Sequence, residues 1–145
     1  MRVVVDTNVV VSRYLAPQGR AALVLERWQQ EKFYLLVSEP ILREYERVLK
    51  YDRLRSRHGL SDEEIAELIE DFREFAVLVI VGPEATLGVV KQDREDNKFL
   101  ECAAVGGAEC LVSGDEHLLA LEQYQGSQIL SPAAFLAVLD NPEGL

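Results

Sequence analysis

The chain has 145 residues, the size of a single domain, and 48% of them are hydrophobic, which is enough for a globular core. No apolar run reaches the roughly 20 residues of a membrane span, and the N-terminus runs straight into a strand pattern. Neither membrane insertion nor a signal peptide is therefore expected. The net charge of −10 argues against non-specific binding of nucleic acid.

The first half of the chain alternates between strand and helix patterns. In chain order it is predicted to form a strand, two helices, a strand and a third helix: Val3–Val5, Val9–Leu15, Arg20–Glu31, Phe33–Val37 and the segment after the N-cap Ser38. The apolar positions of each predicted helix recur at helical spacing. The charged residues 52–60 are predicted to form a mobile connection.

The second half continues the alternation. The predicted elements are a helix after the capping box Ser61–Glu64, a strand Ala76–Val81, a loop at 84–92, a helix Asp96–Val105, a strand Cys110–Val112, a short helix Glu116–Leu121, a strand Gln128–Leu130 and a final helix capped by Ser131. Strands that alternate with helices favour a parallel sheet flanked by helices.

The charge is distributed unevenly along the chain. Residues 1–60 carry 11 basic and 7 acidic groups, whereas residues 61–145 carry 4 basic and 18 acidic groups. An acidic total therefore does not exclude a polyanionic substrate. The two cysteines, Cys102 and Cys110, have no metal-ligand spacing and are predicted to be buried thiols of a reducing compartment, which makes a cytoplasmic protein the expectation.

Four acidic residues occupy positions that an α/β fold brings together. Asp6 follows the first predicted strand and Asp115 follows the fourth. Asp96 lies in the first turn of its helix on the buried face, and Glu44 borders the apolar stripe of the third helix. Because the carboxyl ends of parallel strands lie at one edge of the sheet, we expect these carboxylates to converge there.

Each acid also has a purely structural interpretation. Asp6 and Asp115 can cap helices, and Asp96 can interact with a helix dipole. Glu44 can be a solvated charge that faces Arg47. Capping does not explain Glu44 in mid-helix, however, and clustered carboxylates repel unless a cation or protons neutralise them. Hard oxygen ligands suit Mg²⁺ or Mn²⁺, so the four acids together predict a divalent metal site.

Other kinds of site are not indicated. His58 and His117 have no partners at zinc-ligand spacing, and His58 is expected in a loop. The sequence has no glycine-rich phosphate loop and no Ser-His-Asp order. Ser113 lies two residues before Asp115 and can hydrogen-bond either a carboxylate or a metal-bound water, or belong to a simple turn.

Four segments in series resemble the PIN-domain ribonucleases, the family that supplies the toxin in bacterial and archaeal toxin–antitoxin pairs. They are Val3–Val9 with its Asp-Thr-Asn, Ser38–Glu44, Asp96–Cys102 and Leu111–Asp115. Asp-Thr-Asn alone has little specificity, whereas the four segments in order are fairly specific. The resemblance covers nearly the whole chain.

The resemblance implies a three-layer α/β/α sandwich with a central parallel sheet of about five strands, formed by residues 1–145 as one domain. It implies an endoribonuclease that depends on Mg²⁺ or Mn²⁺ and leaves a 5′-phosphate and a 3′-hydroxyl. The implied metal-binding and catalytic quartet is Asp6, Glu44, Asp96 and Asp115, with Asn8 and Ser113 as polar supports. A small antitoxin partner is implied, and homodimers are common among relatives.

Four basic residues are candidates for holding the RNA backbone: Arg13, Arg43, Arg47 and Lys50. Ordinary surface pairing, for example Glu46 with Lys50, is the alternative for each of them.

Two other functions remain open from the residues. One is a non-catalytic PIN-like binding or regulatory module whose acids are only caps. The other is a metal-dependent phosphatase. The enzymes of that class that use an aspartyl nucleophile have a second Asp two residues later, where this chain has Asn8, which argues against that class.

Overall fold

The computed structural model describes the backbone of residues 1–82 and 94–141, and the side chains of these residues except 94–96. In these residues the strands are β1 (Arg2–Val5), β2 (Tyr34–Val37), β3 (Val77–Leu78), β4 (Cys110–Val112), β5 (Gln123–Tyr124) and β6 (Ser127–Leu130). The helices are α1 (Thr7–Leu15), α2 (Arg20–Gln29), α3 (Glu39–Leu49), α4 (Asp52–His58), α5 (Asp62–Phe75), α6 (Arg94–Gly106), α7 (Glu116–Leu119) and α8 (Pro132–Asp140).

The strands form one sheet in the order β3-β2-β1-β4-β6-β5. β1 lies in the interior of the sheet and runs parallel to both neighbours, with Val4 paired to Leu36 on one side and to Leu111 on the other. β3 and β6 continue the parallel sheet, and β5 pairs with β6 in the antiparallel direction. The chain builds from β1 through β2 to β3 and then crosses to β4, so the topological switch point lies between the carboxyl ends of β1 and β4.

Both faces of the central strands are covered. Val3, Val4 and Val5 point alternately to opposite faces of the sheet, and all three are fully buried. The same holds for Leu35–Val37 in β2. A parallel sheet whose strands are buried on both faces needs a helical layer on each side. The predicted three-layer α/β/α architecture is therefore confirmed.

The prediction of a mobile connection at residues 52–60 is wrong, because most of this segment forms α4. Arginine is a good helix former, and Leu54 packs against the small apolar cluster that contains Leu49. His58 ends the helix and its Nε2 lies 2.9 Å from the Leu49 carbonyl oxygen, so it is not a loop residue. Gly59, with φ 69°, ends the helix in the left-handed conformation. Leu54 and Leu60 are the two leucines of this charged segment, and both pack against that cluster.

The sequence also misses a hairpin. β5 and β6 are joined by Gln125 and Gly126, both with positive φ, as two-residue hairpin turns require. β3 is shorter than the predicted strand Ala76–Val81, and α7 ends at Leu119 instead of Leu121. The remaining predicted elements agree with the structure to within about two residues.

The predicted caps are present where the chain is described. The Ser61–Glu64 capping box is complete, and Ser38 and Ser131 accept hydrogen bonds from the first turns of α3 and α8. The predicted loop at 84–92 lies outside the described residues. Among the helices that the structure does describe, none combines the length and the apolar content needed to cross a bilayer.

Candidate active site

The end of β1 and the end of β4 lie side by side at the switch point. The Asp6 N–H donates to the Val112 carbonyl at 2.9 Å, and the Ser113 N–H donates to the Leu130 carbonyl at 3.0 Å. The sheet ladder thus continues one residue beyond β1 and β4. It places Asp6 and Ser113 next to each other at the carboxyl edge of the sheet, as the sequence predicts.

Asp6 is a buried carboxylate, with 5% of its surface exposed. Its Oδ1 accepts from the Thr7 N–H at 2.8 Å, so Asp6 caps α1, and its Oδ2 accepts from the Ser113 hydroxyl at 2.6 Å. Burial raises the pKa of Asp6 from 3.8 to about 6, against the lowering effect of these two hydrogen bonds, and the negative charges of Glu44 and Asp115 raise it further. The capping interpretation is correct, but Asp6 also faces the other acids.

Glu44 is held between two cationic side chains and a hydroxyl. It is 8% exposed, and its Oε2 accepts from the Thr7 hydroxyl. The Lys98 ammonium lies 2.6 Å from Oε1, and an Arg47 guanidinium nitrogen lies 3.6 Å from the same oxygen. The contact with Arg47 is therefore present, but Glu44 is not a solvated surface charge.

Tyr45, the residue after Glu44, fixes α3 against the central strand. Its ring is fully buried, and its hydroxyl donates to the Val5 carbonyl at 2.5 Å. Burial raises the pKa of the Tyr45 phenol well above its ordinary value, so the hydroxyl remains a donor. The bond ties the helix that carries Glu44 to the residue just before Asp6.

Removing this hydroxyl should loosen the link between α3 and β1. We expect Tyr45→Phe to lower the free energy of unfolding by about 1–2 kcal/mol, because a buried hydrogen bond is lost without a change of packing. Chemical denaturation of the purified protein measures this. Tyr124→Phe is the matched control, since the Tyr124 hydroxyl takes part in an exposed hydrogen bond with Gln125, and its loss should leave stability almost unchanged.

Ser113 links Asp6 to Asp115. The serine is fully buried, and its hydroxyl donates to Asp6 while accepting from the Asp115 N–H at 2.9 Å. The Asp115 Oδ1 accepts from the N–H groups of His117 and Leu118 at 2.8 and 3.2 Å, so Asp115 caps α7. One hydroxyl thus connects the loops that follow β1 and β4.

We expect Ser113→Ala to lower both stability and activity. Asp6 loses a hydrogen-bond donor and the Asp115 N–H loses its acceptor, which should cost about 1–3 kcal/mol. An activity that depends on Asp6 should fall by about 10–100-fold, because the hydroxyl that orients its carboxylate is lost. Ser127→Ala is the matched control, because Ser127 is equally buried and donates to the Ala108 carbonyl at 2.6 Å away from the acids. It should lose similar stability at unchanged activity, and equal activity losses in both variants would remove Ser113 from the site.

The remaining predicted site residues differ in how far they are described. Asp96 lies in the first turn of α6, but its side chain lies outside the described residues. Asn8 is exposed, and its amide nitrogen is 3.8 Å from the position that a Cβ at Gly114 would take. Asn8 therefore lies over the loop between β4 and α7.

The four predicted RNA-binding residues have different surroundings in the structure. Lys50 pairs with Glu46 at 3.8 Å, which is the surface pairing weighed as the alternative. The guanidinium of Arg13 donates to the Gln29 side chain at 3.1 Å. Arg43 is exposed on α3. Arg47 contacts Glu44 and is the candidate that touches the acid cluster.

Two residues of the cluster were missed by the sequence analysis: Thr7 and Lys98. The sequence assigned Thr7 no role of its own, yet its hydroxyl donates to Glu44 across 37 residues of sequence. Lys98 lies on α6 two residues after Asp96, and a basic residue beside a predicted metal ligand was the available signal. Both contacts depend on α3 packing beside the ends of α1 and α6, which periodicity does not reveal.

The donor set is chemically suited to a hard divalent cation. Among the residues whose side chains are described, no three acidic, His or Cys side chains lie close enough to hold an ion by themselves. Asp6, however, is a buried carboxylate whose pKa is raised by burial and by two neighbouring acids. The Asn97 amide oxygen, next to Asp96 on α6, is buried without a hydrogen-bond partner in the described residues. A divalent cation would relieve the charge repulsion at Asp6, and carboxylate oxygens are ligands that suit Mg²⁺ or Mn²⁺.

The sequence pattern of the PIN domain family matches residues 2–117. An uncharacterised protein of Methanocaldococcus jannaschii is 31% identical over 121 residues, which cover 83% of this chain and 75% of that protein.

Three solved structures share the fold of this chain. VapBC2 from Rickettsia felis, bound to a DNA fragment from its promoter, has a TM-score of 0.61 at 13% identity, covering 90% of this chain and 98% of that one. VapBC-1 from nontypeable Haemophilus influenzae has a TM-score of 0.59 at 15% identity, covering 92% and 99%. FitAB bound to the IR36 DNA fragment has a TM-score of 0.54 at 16% identity, covering 90% and 94%. The sheet order and the acids at the switch point agree with this shared fold. Because the family pattern matches residues 2–117, the chain belongs to the PIN domain family.

Proposed function

We propose that this protein is a divalent-metal-dependent endoribonuclease that hydrolyses RNA phosphodiester bonds. The observation that supports it most directly is the buried carboxylate of Asp6 at the switch point of a PIN fold, joined to Ser113 and affected by the charges of Glu44 and Asp115. A folded protein keeps such a buried carboxylate at a cost in stability, and function is a common reason.

Asp6 and Asp96 would be the main ligands of Mg²⁺ or Mn²⁺, with Glu44 and Asp115 completing the set directly or through water. When bound, such an ion lowers the pKa of water and neutralises phosphate charge. The chain itself orients the ligands. The Thr7 amide and the Ser113 hydroxyl hold the two oxygens of Asp6, and the Thr7 hydroxyl holds Glu44. Arg47, at the exposed side of Glu44, is placed to meet the RNA backbone.

One observation favours the alternative that the protein is a non-catalytic binding or regulatory module: both Asp6 and Asp115 cap helices. It leaves Glu44 unexplained. Glu44 is buried in the middle of α3, and within the described residues its carboxylate contacts side chains of α1, α3 and α6 and no backbone amide of a helix end. A group that only stabilised the fold would gain little from such burial of charge.

The test is a cleavage assay with one RNA oligonucleotide, the DNA of the same sequence and a chromogenic phosphate ester, each with Mn²⁺, with Mg²⁺ and with EDTA. We expect cleavage of RNA alone, abolished by EDTA, with 5′-phosphate ends on the products. Hydrolysis of the small ester in place of RNA would favour a phosphatase. No turnover of any substrate with either metal would contradict the enzyme assignment.

We also propose that the protein is the toxin of a toxin–antitoxin pair and binds a small antitoxin. The support is the fold shared with VapBC and FitAB, whose structures were solved as complexes. Expression of the protein should arrest growth, and co-expression of the small protein encoded beside it should restore growth. If the purified protein cleaves RNA but its expression does not slow growth, the toxin assignment is contradicted and the nuclease assignment stands.

A further inference from the structure

Lys98 places a positive charge inside the cluster of acids. Its ammonium lies 2.6 Å from Glu44 Oε1, and its side chain is only 19% exposed. Lys98 belongs to α6 and Glu44 to α3, so the pair joins two helices that border the switch point. The ion pair of Lys50 and Glu46 on α3 is more exposed and longer, since these side chains are 42% and 41% exposed and their charged atoms lie 3.8 Å apart.

A pair as buried as Lys98 and Glu44 is not explained by stability. Taking a carboxylate and an ammonium out of water costs about as much as their attraction returns, and apolar residues of similar volume serve a fold as well or better. The location of the pair, beside Asp6 and two residues after Asp96, indicates a function within the site.

The oxygens of Glu44 are both engaged. Oε1 binds Lys98, with Arg47 at the exposed side, and Oε2 accepts from the Thr7 hydroxyl. A divalent ion that used Glu44 as a direct ligand would have to displace the ammonium from a buried carboxylate. By contrast, the described hydrogen bonds of Asp115 involve only Oδ1, and both are made to amides of α7.

The charges of the cluster point the same way. With Asp96, which the sequence assigns to the site, four carboxylates carry a formal charge of −4. One divalent ion and Lys98 bring +3, and Arg47 at the rim brings the total close to neutrality. Two divalent ions together with Lys98 would leave an excess of positive charge in a largely buried site, which is unfavourable.

We propose that Lys98 is the resident second cation of this site: it neutralises Glu44, so that the protein binds a single divalent ion near Asp6 and Asp115. Nucleases with two metal ions use the second ion to stabilise negative charge on the leaving oxygen. Here the ammonium of Lys98 takes the place of such an ion at Glu44 and belongs to the chain itself. The inference rests on the proposed metal dependence but not on the identity of the nucleic acid.

The test is a calorimetric titration of the metal-free full-length protein with Mn²⁺, with the stoichiometry checked by the electron paramagnetic resonance of free Mn²⁺. We expect one ion per wild-type chain and two per Lys98→Met chain, because the substitution frees Glu44 Oε1 and adds a net negative charge. The metal-free Lys98→Met protein should melt about 5 °C or more below wild type, and Mn²⁺ should raise its melting temperature more than it raises that of wild type.

Two matched variants complete the experiment. Lys98→Arg keeps the charge and should bind one ion. Lys50→Met removes an exposed lysine at the end of α3, the helix that carries Glu44, and should bind one ion at an unchanged melting temperature. If Lys98→Met does not fold, Lys98→Gln, which keeps a hydrogen-bond donor without the charge, takes its place and should bind two ions.

The contrary results separate the two proposals. Two ions in wild type, or one ion in both wild type and the neutral Lys98 variants, would overturn the assignment of Lys98 and leave metal dependence intact. A wild-type chain that binds no Mn²⁺ would overturn both this inference and the proposed metal-dependent function.

Discussion

We expect replacement of Asp6 by Asn to lower the proposed metal-dependent cleavage of RNA by a factor on the order of a thousand or more, while the fold is kept. Asn retains an oxygen that can accept from the Thr7 N–H, so the cap of α1 survives. The negative charge that attracts the divalent ion is lost. Initial rates on one RNA substrate at fixed Mn²⁺, with circular dichroism of the same preparations, measure the effect.

Asp71→Asn is the matched control for this substitution. Asp71 is an exposed acid on α5, so the same chemical change is made outside the site. We expect its cleavage rate to equal that of wild type. An Asp6→Asn protein that cleaves at the wild-type rate would exclude Asp6 as a metal ligand, and equal losses in both variants would point to an effect of overall charge.

The same substitution should stabilise the metal-free protein at neutral pH. The pKa of Asp6 rises from 3.8 to about 6 on folding, so ionisation of this carboxyl opposes the folded state. A difference of about two pKa units corresponds to about 3 kcal/mol, which is the largest gain expected when Asn removes the ionisable group. This gain is the reverse of the usual effect of altering a buried polar residue.

The pH dependence has a definite sign. Below the unfolded-state pKa of 3.8, Asp6 is protonated in both states and contributes no penalty. As the pH rises from about 4 to about 6, the unfolded chain releases the proton first, so the folded protein loses stability, and above about 6 the loss is constant. The difference in unfolding free energy between Asp6→Asn and wild type should therefore grow across this interval and then level off.

Urea denaturation in EDTA at several pH values between 3.5 and 8 measures this difference. Asp71→Asn again serves as the control and should follow wild type to within about 0.5 kcal/mol. Saturating Mn²⁺ at pH 7 should stabilise wild type and leave Asp6→Asn almost unchanged, because only a bound ion shifts the equilibrium. A constant difference across the whole pH range would contradict the burial of an ionisable Asp6.

The sequence predicts the sheet and the position of the acids because both depend on local patterns. Short apolar runs such as Val3–Val5 mark buried strands, and an acid directly after such a run lies at the carboxyl edge of a parallel sheet. The positions of Asp6 and Ser113 follow from this alone. Helix α4 was missed because its only apolar residue, Leu54, gives no periodicity, and β5 was missed because it has two residues.

The contacts inside the site were less accessible to sequence reasoning. The pairing of Lys98 with Glu44 joins residues 54 positions apart, and the hydroxyl of Thr7 reaches Glu44 across 37 positions. Helical periodicity assigns a residue to a face, but the partner on that face depends on how α3, α1 and α6 pack together. Capping also leaves part of the carboxylate for other contacts, since Asp6 caps α1 through one oxygen and accepts from Ser113 through the other.

The amides of Asp6 and Ser113 are hydrogen-bonded within the ladder of the sheet, one residue beyond β1 and β4. Local unfolding of the backbone at the candidate site would break hydrogen bonds in the interior of the sheet. This backbone therefore does not unfold separately from the rest of the protein, whereas a surface loop can. Deuterium should replace these two amide protons only as fast as the whole molecule unfolds. On heating, loss of activity and loss of structure should accordingly coincide, with no earlier stage in which a folded chain has an inactivated site.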